Sequence, residues 1–256
     1  MRNVLLTIAY DGTGFSGWQR QPERRTVQGE LERVLAHVTG TEILLNGTSR
    51  TDAGVHALGQ RASFAGEYGI PAERIPVAVN NLLEDIRVLA AEEVPAAFHA
   101  RFDATGKTYL YRIGISDGSA APTMNGRVFR DLFLRNYFYW LQETPDVGKM
   151  EAAARFLTGT HDFAAFQAAG GTPRESTVRT VRDIVIIKEG NNIDIEITGD
   201  GFLYNMVRIL VGTLVETGLG RRAPEDAARV LASGDRRNAG HTAPPQGLYL
   251  KEVFFA

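Results

Sequence analysis

Residues 3–40, NVLLTIAYDGTGFSGWQRQPERRTVQGELERVLAHVTG, read as a strand, a long polar loop and a helix. Residues 3–10 are apolar enough for a strand and run into the turn-rich Asp11-Gly12-Thr13-Gly14-Phe15-Ser16-Gly17. Thr26 suits an N-cap, and Val27, Leu31, Val34, Leu35 and Val38 keep helical spacing behind it. Outward from there, the pattern predicts a short strand at 42–46, a Gly-rich loop at 47–59 and a strand at 60–65. A helix around 72–81 and a strand at 86–93 follow. The order is βαββαβ.

The second half repeats that order with longer parts. Alternating Tyr109, Tyr111, Ile113 and Ile115 predict a strand, and 147–157 a helix. Residues 178–188 and 192–198, hinged at Gly190-Asn191-Asn192, predict a hairpin. Helices at 203–216 and 225–232 and a last strand at 248–255 complete it. The division expected is 1–105 and 106–256, with an insertion near 116–146 that carries Tyr137-Phe138-Tyr139-Trp140. His161-Asp162 reads as a turn before Phe163. The halves share element order and no sequence identity. They predict an α+β chain whose two sheets lie side by side and leave a cleft.

The 256 residues carry a net charge of −2, so no global basic field marks a nucleic-acid binder, and any such site must be a local patch. The cations are 24 Arg against 4 Lys, a bias toward the side chain that forks onto phosphate and stacks on bases. Genome base composition produces the same bias. Cysteine is absent, which removes disulfides, zinc-thiolate sites and every thiolate nucleophile. The apolar run at 4–9 is too short for a span or a secretion signal and soon meets Asp11, so a cytoplasmic protein with no membrane association is expected.

Two nucleotide motifs fail on context. Gly12-Thr13-Gly14-Phe15-Ser16-Gly17 matches G-x-G-x-x-G after a strand, yet the helix begins only near Thr26, so no helix N-terminus points at the glycines. Gly106-Lys107-Thr108 imitates the end of a phosphate loop, but Arg101 stands where that motif needs Gly, and a strand follows; Lys107 reads as a surface or phosphate-contacting cation. His37, His56, His99, His161 and His241 show no H-x-x-x-H or H-x-H spacing, so no metal site is expected.

The segment with chemistry in it is Gly47-Thr48-Ser49-Arg50-Thr51-Asp52-Ala53-Gly54-Val55-His56. A polar, Gly-flanked loop between apolar strands holds an Arg and an Asp two residues apart, which an extended backbone points the same way. By composition alone it reads equally as a solvated turn.

This segment resembles the active-site motif of the tRNA pseudouridine synthase A family, and further matches follow in order. Tyr10-Asp11-Gly12 with Phe15-Ser16-Gly17-Trp18-Gln19-Arg20-Gln21 resembles the family's first motif, and Thr26-Val27-Gln28 its next helix start. Phe98-His99-Ala100-Arg101-Phe102 and Lys107-Thr108-Tyr109-Leu110-Tyr111 resemble the third, Phe202–Gly212 around Met206-Val207-Arg208 the fourth, and Gly247-Leu248-Tyr249-Leu250 the last. Residues 130–144 align with nothing in the family.

The resemblance implies isomerisation of uridine to pseudouridine at positions 38, 39 and 40 of the tRNA anticodon arm. It implies a homodimer on the anticodon stem-loop that uses no cofactor and no metal. The implied fold is two ferredoxin-like halves forming a mixed, mostly antiparallel sheet, with helices on one side and the active site in a central cleft. By the family's pattern Asp52 is the catalytic carboxylate, Arg50 assists base flipping, and Arg208 pairs with Asp52. Tyr109 packs against the uracil and Leu248 also contacts substrate. Arg20, Arg24, Arg25 and Arg101 are expected to bind RNA, with Arg179 and Arg182 around the cleft.

The residues suit that chemistry. The bond from ribose C1′ to N1 must break and one from C1′ to C5 must form; with no thiolate, a carboxylate can attack C1′, add to C6 or deprotonate C2′. A stem base must first be extruded, at a cost of a few kcal/mol. Two other classes compete. An RNA-binding module without catalysis predicts aromatic RNP-type stretches, which 60–65 and 86–93 lack. A glycoside hydrolase needs two spaced acids, and the motif holds one.

Overall fold

The computed structural model describes residues 2–116, 132–171 and 175–256, and between 116 and 132 the backbone of two short strands. The chain forms two compact units: Met1–Lys107 with Tyr249–Ala256, and Thr108–Leu248.

In the first unit, β1 (Arg2–Tyr10) leads to α1 (Val27–Thr39). Thr26 caps the helix, its hydroxyl accepting from the Gly29 amide at 3.3 Å, and Gly40 ends it in the left-handed region at φ 73°. Then come β2 (Asn46–Gly47), β3 (His56–Gly66), α2 (Ile75–Asn80) and β4 (Ile86–Val94). β1 pairs antiparallel with both β3 and β4. Val4, Leu6 and Ile8 of β1, Phe64 of β3, and Leu31 and Leu35 of α1 are buried. Each such side chain contributes about 1.5–3 kcal/mol on leaving water.

β5 (Ala104–Ile115) carries the chain into the second unit. There follow β6 (Thr123–Met124), β7 (Arg127–Val128), β8 (Tyr139–Leu141), α3 (Val147–Leu157), β9 (Gly159–Asp162), β10 (Val178–Glu189) and β11 (Asn192–Gly199). α4 (Met206–Gly218) and α5 (Asp226–Ser233) close the series. The strand order in this unit is β5-β11-β10-β9; β10 is antiparallel to both neighbours and β8 runs parallel to β5. Ile209, Leu210, Val211, Leu214 and Val215 of α4 are all buried, the mark of a helix enclosed on most sides. The last strand, β12 (Leu248–Phe255), belongs almost wholly to the first unit, where Tyr249 and Leu250 pair in parallel with His56 and Ala57 of β3. The fold is α+β with a mixed, mostly antiparallel sheet and, among the described residues, five helices.

Several expectations shift, each for a physical reason. The strand expected at 42–46 shrinks to Asn46–Gly47, because α1 side chains take the place of a ladder: the Leu45 amide donates to Glu32 Oε1 at 2.9 Å and its carbonyl accepts from Gln28 Nε2 at 3.0 Å. The strand expected at 60–65 begins instead at His56, so the expected loop at 47–59 shortens. Gly59 lies inside that strand because a methyl there would meet the Lys251 carbonyl oxygen of β12 at 2.5 Å. Residues 203–205 precede α4 rather than belong to it, with Asn205 left-handed at φ 59°. His161-Asp162 is not a turn but the end of β9, paired with β10. The terminal strand leaves the second half, where sequence order had put it, for β3 of the first. Of the insertion, residues 117–122, 125–126 and 129–131 lie outside the described residues, while Tyr139–Leu141 add β8 to β5.

Candidate active site

The Arg50–Asp52 loop, residues 48–55, spans from β2 to β3 and is bonded from several sides. At its start the Thr48 amide donates to the Arg61 carbonyl at 2.9 Å, and the Thr48 hydroxyl donates to the Ala100 carbonyl at 3.0 Å. Gln60, fully buried, brackets Ser49: its Nε2 donates to the Ser49 carbonyl at 2.7 Å and its Oε1 accepts from the Ser49 amide at 3.3 Å. At the turn itself the Val55 amide donates to the Asp52 carbonyl at 3.1 Å, with Gly54 left-handed at φ 77°. Buried backbone groups must find partners, and these bonds supply them for the Thr48, Ser49 and Val55 amides.

The loop after β1 lies against this one. The Trp18 amide donates to the Thr51 carbonyl at 3.0 Å, and the Tyr10 and Thr51 hydroxyls meet at 2.6 Å. Two glycines permit the approach. A methyl on Gly17, left-handed at φ 90°, would stand 2.7 Å from the Thr51 carbonyl oxygen; one on Gly12 would stand 2.0 Å from that of Val55. Gly47 likewise makes room for the buried Trp18 indole, which a methyl would meet at 2.4 Å. Two of the three glycines that imitate a dinucleotide motif, Gly12 and Gly17, therefore serve contact between two loops. His56 closes the arrangement: its Nδ1 accepts from the Gly12 amide at 3.1 Å and lies 3.2 Å from Asp11 Oδ1, and the ring stacks on Tyr249 at 4.7 Å.

On this frame Asp52 is half-buried and Arg50 exposed. Lys107, read from sequence as a surface or phosphate-contacting cation, donates from Nζ to Ser49 Oγ at 3.0 Å and so stands at the same loop. Of the expected RNA contacts, Arg24 and Arg101 are exposed. Arg20 is tied to Glu32 at 3.0 Å, and Arg25 to Asp85 at 2.8 Å with its guanidinium 4.2 Å from the centre of the Phe15 ring.

In the second unit Tyr109 is buried, edge-on to Phe202 with ring centres 5.3 Å apart. Leu248 is also buried. Arg182 is exposed, and Arg179 donates to the Ser176 carbonyl at 3.0 Å. Arg208 is half-buried in the first turn of α4, its Nε donating to the Ala243 carbonyl and its terminal nitrogen to Asn205 Oδ1, both at 2.7 Å. The carbonyl of Ala243 is available because residues 239–243 run back along α4. The Ala243 amide donates to the Arg208 carbonyl and the Gly240 amide to Thr213 Oγ1, each at 3.0 Å. Gly212 admits this strap, since a methyl there would fall 1.8 Å from the His241 carbonyl oxygen. Tyr111 anchors the next residue, its hydroxyl donating to the Pro244 carbonyl at 2.7 Å. Burial pushes that phenol well above its ordinary range, against the opposing charge of Arg208, so it stays a neutral donor. The strap was not legible in the sequence; Tyr111 and Gly212 fall within the stretches that resemble the family's motifs, but the resemblance gave neither a role, and Gly212 otherwise showed only as an isolated Gly within an apolar helix pattern.

Among the described residues no group of three or more His, Asp or Glu could hold a metal ion, and no helix is long and apolar enough to cross a membrane.

Fold and loop together fit one class of enzyme, an α+β isomerase of RNA bases: a family model described as tRNA pseudouridine synthase matches residues 6–103 and 153–256. The chain belongs to that family, and pseudouridine synthases are isomerases. The chain is 48% identical over 257 residues to tRNA pseudouridine synthase A 2 of Clostridium tetani, covering 99% of each chain. It is 44% identical to tRNA pseudouridine synthase A of Acetivibrio thermocellus, covering the whole of both. With that of Halalkalibacterium halodurans it shares 46% identity over 97% of this chain and 90% of the relative.

Proposed function

We propose that this chain converts uridine to pseudouridine at positions 38, 39 and 40 of the tRNA anticodon arm, with Asp52 as the reacting carboxylate. The observation that carries the reading is the Asp52 loop. Its backbone is held by Trp18, Gln60 and Arg61, and its Thr48 side chain by Ala100, while the carboxylate itself stays half-open to solvent and Arg50 stands exposed two residues away. A reacting group gains from being held before substrate arrives, whereas a solvated turn has no need of that many backbone bonds. Asp52 attacks C1′, adds to C6 or deprotonates C2′; by each route the glycosidic bond to N1 breaks, C1′ joins C5, and the C5 proton leaves to solvent while N1 gains one. Arg50 occupies the place vacated by the extruded base.

Tyr109 packs on the uracil, and its edge-on contact with Phe202 favours a fixed ring over a mobile one. Leu248 adds an apolar contact. Arg208 is the cationic partner of Asp52, keeping it ionised; its two bonds to Ala243 and Asn205 hold the guanidinium plane. Arg20, Arg24, Arg25 and Arg101 follow the phosphates. The working form is a cytoplasmic homodimer without cofactor.

The test is tritium release from tRNA carrying 5-tritiated uridine, run beside a tRNA-binding assay. Wild type releases tritium while the base stays attached. Asp52→Asn releases none yet binds tRNA as before, and Arg208→Leu loses the chemical step far more than affinity. Turnover by Asp52→Asn would remove the carboxylate from its role, and wild type without tritium release would overturn the function.

A further inference from the structure

Phe102 exposes 74% of its surface on a short turn after β4. A lone exposed apolar side chain needs no explanation, but this one is held and flanked. The Phe102 and Asp103 amides both donate to the His99 carbonyl at 3.0 Å. The His99 amide donates to Asp103 Oδ2 at 2.8 Å, and the Arg101 amide to His99 Nδ1 at 3.1 Å. The turn therefore has little freedom to fold its ring away. The His99 imidazole lies against that ring, centre to centre 4.3 Å with the planes 32° apart, and the Arg101 guanidinium lies over it 5.7 Å from the ring centre, yet most of the ring stays open to solvent.

The turn is also tied to the Asp52 loop. Ala100, at its middle, is fully buried; its amide donates to Ser63 Oγ at 3.1 Å, and its carbonyl accepts the Thr48 hydroxyl at 3.0 Å. Thr48 opens the loop that carries Arg50 and Asp52. An exposed aromatic plane, a neighbouring imidazole and a guanidinium are thus fixed through a single buried residue to the reacting carboxylate's own loop.

We propose that Phe102, with His99 and Arg101, is a stacking platform for a nucleobase of the tRNA other than the uridine that reacts. An aromatic face stacks on any base, and a guanidinium beside it meets the adjoining phosphate. Phe102 is then a positioning residue: it sets the strand's place relative to the Asp52 loop and touches no reacting atom. The inference rests on the reading of this chain as a tRNA uridine isomerase.

The experiment uses the full chain and a fluorescently labelled tRNA anticodon stem-loop. Phe102→Ala is expected to raise Kd about tenfold, within the range for loss of one base–aromatic stack. Phe102→Trp restores affinity and Phe102→Leu does not, while all three melt with wild type because the ring is exposed. Arg101→Ala lowers the slope of log affinity against log salt by about one, and Phe102→Ala leaves that slope unchanged. Wild-type affinity in Phe102→Ala, or a Leu variant as tight as the Trp variant, overturns the platform. Tritium release by wild type keeps the two readings apart: its absence refutes the function, whereas an active enzyme indifferent to Phe102 refutes the platform alone.

Discussion

Replacing Gly12 by alanine would set a methyl 2.0 Å from the Val55 carbonyl oxygen, a backbone atom at the end of the Asp52 loop. One of the two loops must then move. The expected loss is about 1–3 kcal/mol, the usual range for overpacking, with Tm lower by roughly 3–10 °C. Activity falls more than stability alone accounts for, because the displaced segment carries Asp52. Gly14→Ala is the control: its methyl would meet only the far end of the Arg25 side chain, at 2.9 Å, and that side chain can swing. Thermal melts and tritium release on the two variants check this, and a Gly14→Ala variant as damaged as Gly12→Ala would show that loop contact is not the reason for the glycines. At this scale the sequence displayed the residues and hid their purpose. Glycines at 12, 14 and 17 fit a phosphate motif in spacing, but only the position of residues 51–55 shows what the missing side chains at 12 and 17 admit.

α4 and the strap along it form the element that holds Arg208, and Glu216 pins the far end. One of its oxygens accepts from the His241 amide at 2.9 Å and lies 2.9 Å from His241 Nδ1; the other takes Arg222 Nε at 2.5 Å. Burial pushes the carboxyl up, but the Arg222 and His241 hydrogen bonds outweigh it and hold the pKa down at about 2, against 4.5 ordinarily. A depressed carboxyl stabilises the fold above its unfolded pKa and loses that contribution as pH falls through the folded value. Glu216→Gln is therefore expected to be less stable than wild type at pH 7, by about 1 kcal/mol once solvent screening is allowed for. The gap should narrow as pH falls from about 4.5 toward 2. Urea unfolding at pH 7, 5 and 3.5 measures it, and a gap that widens on acidification would mean the ion pair does not stabilise the strap. The sequence pattern located α4, three residues early at its start. It could not show the strap, since residues 239–243 have no period of their own and take their shape from the helix beneath them.

Across the whole molecule, the chain's last eight residues return to the unit that holds its first. Tyr249 pairs with and stacks on His56, Leu250 pairs with Ala57, and Leu250 and Val253 are buried. Deleting residues 249–256 would leave β3 without that partner immediately after the Asp52 loop and expose its edge. The truncated chain is expected to aggregate or to melt well below wild type, and to lose tritium release. Soluble yield, circular dichroism melting and activity read the outcome; a truncated chain that melts with wild type would remove β12 from the account of the site.

Local pattern determined most elements. The apolar runs at 3–10 and 86–93, the Thr26 cap, the helix at 147–157 and the hairpin at 178–198 needed only nearest neighbours along the chain, because period and caps are local properties. The motif Ser49-Arg50-Thr51-Asp52-Ala53-Gly54-Val55-His56, too, was legible as written, since the chemistry resides in residue types at fixed spacing. Tertiary structure alone decided what depends on distant backbone. Residues 43–45 give up a strand because Gln28 and Glu32 satisfy Leu45, β3 starts early because β12 arrives beside it, and Lys107 reaches Ser49. Each of these turns on a backbone or polar group meeting a partner 13 or more residues away, and such meetings leave no period in the sequence.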